Sequence, residues 1–137
     1  MKINPYLIFD GHCEAAFKFY QLVLHGKIAT MMRFSEMPGG EKMPKEDHER
    51  IIHVRLEVGD QVLMGSDTTT DRPHAGITGC SVSLNVDTIA EAKRIFEELS
   101  DQGTIQMPLE QTFWASRFGM LTDRFGVPWM INCEKDQ

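Results

Sequence analysis

The sequence predicts an α+β fold of two tandem β-α-β-β-β modules, each laying one helix against a four-stranded sheet. Three observations predict it. The chain matches itself at a shift of 77 residues, each copy sets a helical apolar stripe between strand-like runs, and a second shift of 67 aligns the last strands. Length and composition permit such a fold, since 137 residues with 42% hydrophobic and 25% charged side chains suit one ordinary globular domain.

The first shift aligns Leu7 with Leu84, Asp10 with Asp87, Glu14-Ala15 with Glu91-Ala92, Phe19 with Phe96, Gly26 with Gly103, and Ile28 with Ile105. Module one, residues 1–70, opens with a strand over 3–9 and a turn at Asp10. Ala15, Phe19 and Val23 recur at helical spacing and predict a helix over 13–25. Gly26 follows where a helix stops, a place that favours a left-handed residue without a β-carbon. Strands are expected at 27–35, 50–58 and 61–67. Between the first two of these, Glu36 to Glu49 is polar, aperiodic and broken by Pro38, Gly39, Gly40 and Pro44, so it reads as a loop, either a plain solvated one or a lid.

Module two, residues 77–137, repeats the order with a strand over 79–86 and a helix over 88–101. Thr88-x-x-Glu91 is a capping-box pattern, and Ile89, Ala92, Phe96 and Leu99 form the stripe. Gly103 ends the helix, and strands follow at 104–111, 114–122 and 127–133. The second shift pairs Gly59–Met64 with Gly126–Ile131, making the first copy ten residues longer. Asp123-Arg124-Phe125-Gly126 and Gly59-Asp60 read as tight turns. Right-handed crossovers put each helix on one face of its sheet, which leaves the other faces to enclose a cleft of the kind that binds small molecules.

Composition narrows the function. A net charge of -6 without a Lys/Arg cluster argues against nucleic acid and anionic membrane surfaces. The longest apolar run, Tyr6-Leu7-Ile8-Phe9, is too short for a membrane span or an export signal, so a soluble cytoplasmic protein is expected. Cys13, Cys80 and Cys133 form no Cys-x-x-Cys pair, which suits a reducing compartment and buried, inert thiols. No nucleophile elbow, phosphate-binding loop or dinucleotide fingerprint occurs.

Candidate site residues come from strand alternation. Ile51–Val58 puts Ile52, Val54, Leu56 and Val58 on one face and His53, Arg55 and Glu57 on the other. With the apolar face under a helix, Arg55 would bind a ligand oxygen while His53 or Glu57 moves a proton. A solvated face with Arg55 and Glu57 as a weak ion pair is the alternative. The strand around Phe113–Met120 sets Trp114, Ser116, Phe118 and Met120 against Phe113, Ala115, Arg117 and Gly119. Trp114 suits stacking with a planar ligand as well as core packing, and Arg117, Trp129 and Tyr6 join it as candidate ligand-contacting residues. His12 and His25 sit at helix ends, and His48 and His74 in polar loops.

The segments Phe9–Tyr20, Val62–Asp67, Thr112–Gly119 and Asp123–Trp129 resemble the PhnB-like branch of the vicinal oxygen chelate superfamily, which includes glyoxalases, bleomycin resistance proteins and extradiol dioxygenases. The resemblance covers nearly the whole chain and implies one domain over 1–137. Paired modules would form a cup-shaped mixed β-sheet with helices outside and ligand inside, usually in a homodimer. It also implies, in metal-dependent members, a His or Glu from the first strand of each module and a carboxylate or His from the last. Residues 2–9 and 80–86 contain neither type, and the last strands offer none of the expected donors. No metal site is therefore expected, Asp67 and Cys80 being the nearest ligand-type side chains, and the cofactor is left open.

The resemblance points to a glyoxalase-like small-molecule-binding protein with ligand held between the modules. His53 and Glu57 are its candidate catalytic residues, and Arg55, Tyr6, Asp67, Trp114, Arg117 and Trp129 its candidate ligand contacts. Any chemistry would be lyase or isomerase chemistry on a carbonyl or oxygen-rich metabolite; the alternative is sequestration without turnover. Relatives of this branch also carry a 3-demethylubiquinone 3-methyltransferase label, which the lack of a glycine-rich strand-to-helix loop does not support.

Overall fold

The computed structural model describes residues 1–134 of the chain, in two compact units, residues 1–76 and 77–134. Unit one contains β1 (Tyr6–Phe9), α1 (Cys13–Leu24), β2 (Lys27–Arg33), β3 (Ile51–Val58) and β4 (Gln61–Asp67), with strand order β1-β4-β3-β2. Unit two contains β5 (Val82–Val86), α2 (Ile89–Ser100), β6 (Thr104–Glu110), β7 (Ala115–Thr122) and β8 (Pro128–Glu134), in order β5-β8-β7-β6. In both, the first strand pairs parallel with the last and the remaining pairs are antiparallel. The expected α+β fold of two β-α-β-β-β modules is present. No helix among the described residues is long and apolar enough to cross a membrane.

Each sheet buries one face beneath its helix. In unit one Leu7, Phe9, Val54, Leu56 and Leu63 lie under Cys13, Ala16, Phe17, Tyr20 and Val23 of α1. The expected stripe of Ala15, Phe19 and Val23 is therefore rotated, since Ala15 is exposed and Phe19 only half-buried. The cause lies in the connections. Asp10-Gly11-His12 joins β1 to α1, whereas only Asp87-Thr88 joins β5 to α2, and one extra residue turns the helix by about 100°. In unit two Ala92, Ile95, Phe96 and Leu99 are buried as the pattern requires.

The two copies also cap their helices differently. Thr88 accepts from the Glu91 amide at 3.1 Å, an N-cap bond of the expected kind. His12 supplies no such bond to α1. There Asp67, arriving from β4, accepts from the amides of Gly11 and Cys13 at 2.8 and 3.0 Å, so the carboxylate stands at the positive end of α1.

Helix ends bring a second correction. The left-handed residues are His25 (φ 54°) and Gln102 (φ 61°), each one position before the repeated glycine. Gly26 and Gly103 serve close approach instead. A β-carbon on Gly26 would meet the Glu57 carbonyl oxygen at 2.8 Å, and one on Gly103 the Thr122 carbonyl oxygen at 2.3 Å.

The pairing registers refine the internal repeat. Leu7 pairs with Gly65 and its counterpart Leu84 with Ile131, so β4 and β8 correspond at a shift of 66 rather than 67. Met64 thus matches Met130, and the one-residue difference decides which face every side chain occupies. The residues between β2 and β3 are not featureless, for three short 3-10 turns, Phe34–Glu36, Gly40–Lys42 and Lys45–Asp47, fold them. Arg50 ties the end of this segment to Asp10 and to the Thr68 carbonyl, both at 2.8 Å, and buried Asp47 accepts from the Thr70 amide at 2.9 Å.

Candidate functional site

The face of the unit-one sheet away from α1 collects the polar side chains of β3. Cross-strand register sets Tyr6, Met64, Arg55 and Thr30 in one row across all four strands. Glu57 stands level with Val62 and Lys27 on one side of that row, and His53 with Met32 on the other. The alternation of β3 thus puts His53, Arg55 and Glu57 together, as the sequence predicts, and the parallel pairing of β1 with β4 adds Tyr6.

Tyr6 reaches over β4. Its hydroxyl lies 3.2 Å from Nδ1 of His53, and the two rings stack with centroids 5.8 Å apart and planes inclined by 24°. Arg55 approaches Glu57 at 3.4 Å, with side chains 39% and 42% exposed, so water weakens the pair. Among the described residues Arg55 makes no other hydrogen bond, which leaves most of its five donors free for a ligand. Ile8, Met32, Met64 and Val62 supply partly exposed apolar surface around these groups. Strand parity alone would have found Ile8, Val62 and Met64. Thr30 and Met32 needed the β-bulge between Ile28 and Thr30, which no sequence pattern reveals.

Two of the predicted ligand contacts lie elsewhere. Asp67 is only 4% exposed, on the helix side of β4, and its Oδ2 accepts from the Ile51 amide at 2.9 Å in addition to the two bonds at α1. Trp129 is 1% exposed beneath α2 and donates its indole N–H to Asp123 at 2.9 Å. Neither side chain reaches the open face; both hold the fold. Arg117 stands opposite Cys133, on the side of β7 that Gly119 turns to α2, and donates to the Ser116 carbonyl at 2.6 Å. Trp114 is 47% exposed, just before β7, and packs edge-on against Phe118 and Phe113 at 5.4 and 4.8 Å between centroids.

Unit two carries a different open face. The row matching Tyr6-Met64-Arg55-Thr30 is Ser83-Met130-Met120-Met107, with Phe118 and the Asn85–Asn132 pair beside it. The matching position of the third strand from the first-strand edge therefore carries Arg55 in one unit and Met120 in the other.

The donor set on β1, β4, β5 and β8 does not fit the divalent ion of metal-dependent relatives. Tyr6, Met64, Ser66, Ser83, Asn85, Met130 and Asn132 offer phenol, hydroxyl, amide and thioether rather than imidazole or carboxylate, and Ile8 and Val62 offer no donor atom. Among the described residues no group of three or more His, Cys, Asp or Glu side chains is placed to share an ion.

Charge elsewhere serves the scaffold. Arg33 grips both Glu14 oxygens at 3.1 and 2.9 Å, and with Lys18 it lowers the Glu14 carboxyl to about 2. Burial and the Asp67 carboxylate push the Cys13 thiol far above its ordinary value, so it is inert at neutral pH. Cys133 is buried as well, whereas Cys80 is exposed, unlike the expected buried thiol.

Comparison with known proteins places these features. The family model described as the Glyoxalase/Bleomycin resistance protein/Dioxygenase superfamily matches residues 2–131. The chain is 34% identical to the protein YjdN of Escherichia coli K12, over 100% of this chain and 98% of that one. The crystal structure of protein PA1353 from Pseudomonas aeruginosa is 50% identical, with 99% of both chains covered and a TM-score of 0.92. The structure of a putative 3-demethylubiquinone-9 3-methyltransferase, PhnB protein, from Bacillus cereus is 26% identical over 97% of this chain and 99% of that one, with a TM-score of 0.81.

Proposed function

Because the chain belongs to the glyoxalase/bleomycin resistance protein/dioxygenase superfamily, we propose that it is a PhnB-like small-molecule-binding protein that takes a compact, oxygen-rich ligand on the open face of unit one. The observation that carries this reading is the lightly restrained Arg55 guanidinium between His53 and Glu57, with Tyr6 beside them. Arg55 binds ligand oxygen, and His53 and Glu57 are the groups able to move a proton if the ligand is turned over. The protein is proposed to work as a cytoplasmic homodimer, with light scattering as the check on the dimer.

Sequestration without turnover is the second reading, favoured by the exposed Trp114-Phe118-Phe113 cluster and the neighbouring methionine row, which suit a bulky planar ligand. A methyltransferase reading has no support in this chain, whose two separate four-stranded sheets lack a doubly wound parallel sheet with a glycine-rich loop.

The test is a calorimetric screen of small carboxylates, hydroxy-ketones and planar cations against the full chain, repeated with Arg55→Ala and Trp114→Ala. Losses of about tenfold or more with Arg55→Ala alone support the first reading, since a charged hydrogen bond is worth roughly 1.5–3 kcal/mol. Losses confined to Trp114→Ala support the second. Ligands whose affinity neither substitution changes overturn both.

A further inference from the structure

We propose that Tyr6 is a positioning residue that keeps the proton of neutral His53 on Nε2, so that His53 and Arg55 together present donors to an oxyanion carried on an apolar body. The inference rests on the open face of unit one being the ligand site, and it names the chemical class that site accepts.

A tyrosine hydroxyl carries one hydrogen that it can donate. The Tyr6 hydroxyl has one hydrogen-bond partner among the described residues, Nδ1 of His53. A hydroxyl donating there satisfies its own hydrogen and makes Nδ1 the acceptor, which puts the imidazole proton on Nε2. The opposite assignment would leave the phenolic hydrogen without a protein acceptor. Near-parallel stacking of the two rings holds the imidazole in that orientation.

Nε2 of His53 has no partner among the described residues, so its N–H is available to a ligand. Arg55 is two residues along the same strand and on the same face, about 7 Å away. That backbone spacing lets the two oxygens of one carboxylate or phosphate-type group accept from both side chains, at hydrogen-bond distances of about 2.9 Å. Ile8, Met32 and Met64 lie around the pair, so the rest of such a ligand meets apolar surface. A cation would face two donors, while the nearest carboxylate, Glu57, already leans on Arg55.

The experiment uses the full chain with nitrogen-15 in its histidines. Two-bond spectra recorded in alkaline buffer report which ring nitrogen of neutral His53 carries the proton, in the parent and in Tyr6→Phe. A protonated Nε2 in the parent that relaxes toward a tautomer mixture in Tyr6→Phe is the expected result. A protonated Nδ1 in the parent, or an unchanged tautomer in Tyr6→Phe, overturns the proposal.

Benzoate, benzamide and benzylamine are the binding probes, sharing one ring and differing in head group. Benzoate should bind at least about tenfold more tightly than the other two. His53→Gln, whose amide reaches the Nε2 position, should retain benzoate within about threefold, while His53→Asn, which reaches only Nδ1, should lose about tenfold. Equal binding of all three probes removes the oxyanion assignment. Benzoate affinity unchanged in Arg55→Ala and His53→Ala removes the site itself, an outcome separate from the tautomer, which is read on the ligand-free protein.

Discussion

Replacing Asp67 with Asn tests whether this carboxylate belongs to the ligand or to the fold. One Asp67 oxygen accepts from the amides of Gly11 and Cys13 and the other from Ile51, at 2.8, 3.0 and 2.9 Å, with the residue 4% exposed. An Asn keeps one acceptor oxygen and turns an NH2 group toward the amide or amides left over. Losing one hydrogen bond to a buried charged acceptor costs about 1.5–3 kcal/mol, and losing negative charge at the start of α1 adds about 0.3–1 kcal/mol. A total of about 2–4 kcal/mol corresponds to a fall in Tm of about 6–15 °C for a chain of this size.

Far-ultraviolet circular dichroism is the assay, because both tryptophans, Trp114 and Trp129, lie in unit two and their fluorescence would miss a local change in unit one. Amide exchange at Gly11, Cys13 and Ile51 should accelerate in the same variant. A Tm within about 2 °C of the parent, with those amides still protected, would refute the latch. Loss of ligand affinity at unchanged stability would return Asp67 to the binding site.

Four further outcomes follow from the scaffold. Glu14 is lowered from 4.5 to about 2 by Arg33 and Lys18, so its stabilising effect is present above about pH 4.5 and is lost as pH falls toward 2. Because its side chain is 33% exposed, solvent screening reduces the effect to about 1 kcal/mol, and Glu14→Gln should flatten the urea midpoint across that window by this amount. Gly26→Ala and Gly103→Ala should each destabilise by about 1–3 kcal/mol, the second more, since its β-carbon would sit 2.3 Å from a carbonyl oxygen; equal stability to the parent in denaturant titration would contradict the close-approach role. His25→Gly should act in the opposite direction, gaining up to about 1 kcal/mol by removing left-handed strain, and a loss would show that the imidazole contributes more than its backbone costs. Trp129→Phe removes the indole donor from buried Asp123 and should lower stability by about 1.5–3 kcal/mol, read as a shift in the thermal midpoint.

The repeat, the strand and helix order and the face shared by His53, Arg55 and Glu57 were all legible in the sequence, because backbone periodicity is local. A strand places alternate side chains on opposite faces whatever lies beside it, and a helix buries residues three and four apart. What periodicity does not carry is an offset. One additional residue in the Asp10-Gly11-His12 turn rotated α1 away from the Ala15-Phe19 stripe, and one residue of register made Met130, not Ile131, the repeat counterpart of Met64. Similar residue types also hid different positions, since Asp67 and Trp129 fall on the covered faces of their sheets, where backbone amides and Asp123 occupy their polar atoms. The meeting of Tyr6 with His53 was decided by tertiary structure alone. Those side chains are 47 positions apart and sit on strands separated by β4, so only the parallel insertion of β4 between β1 and β3 brings a phenol onto an imidazole.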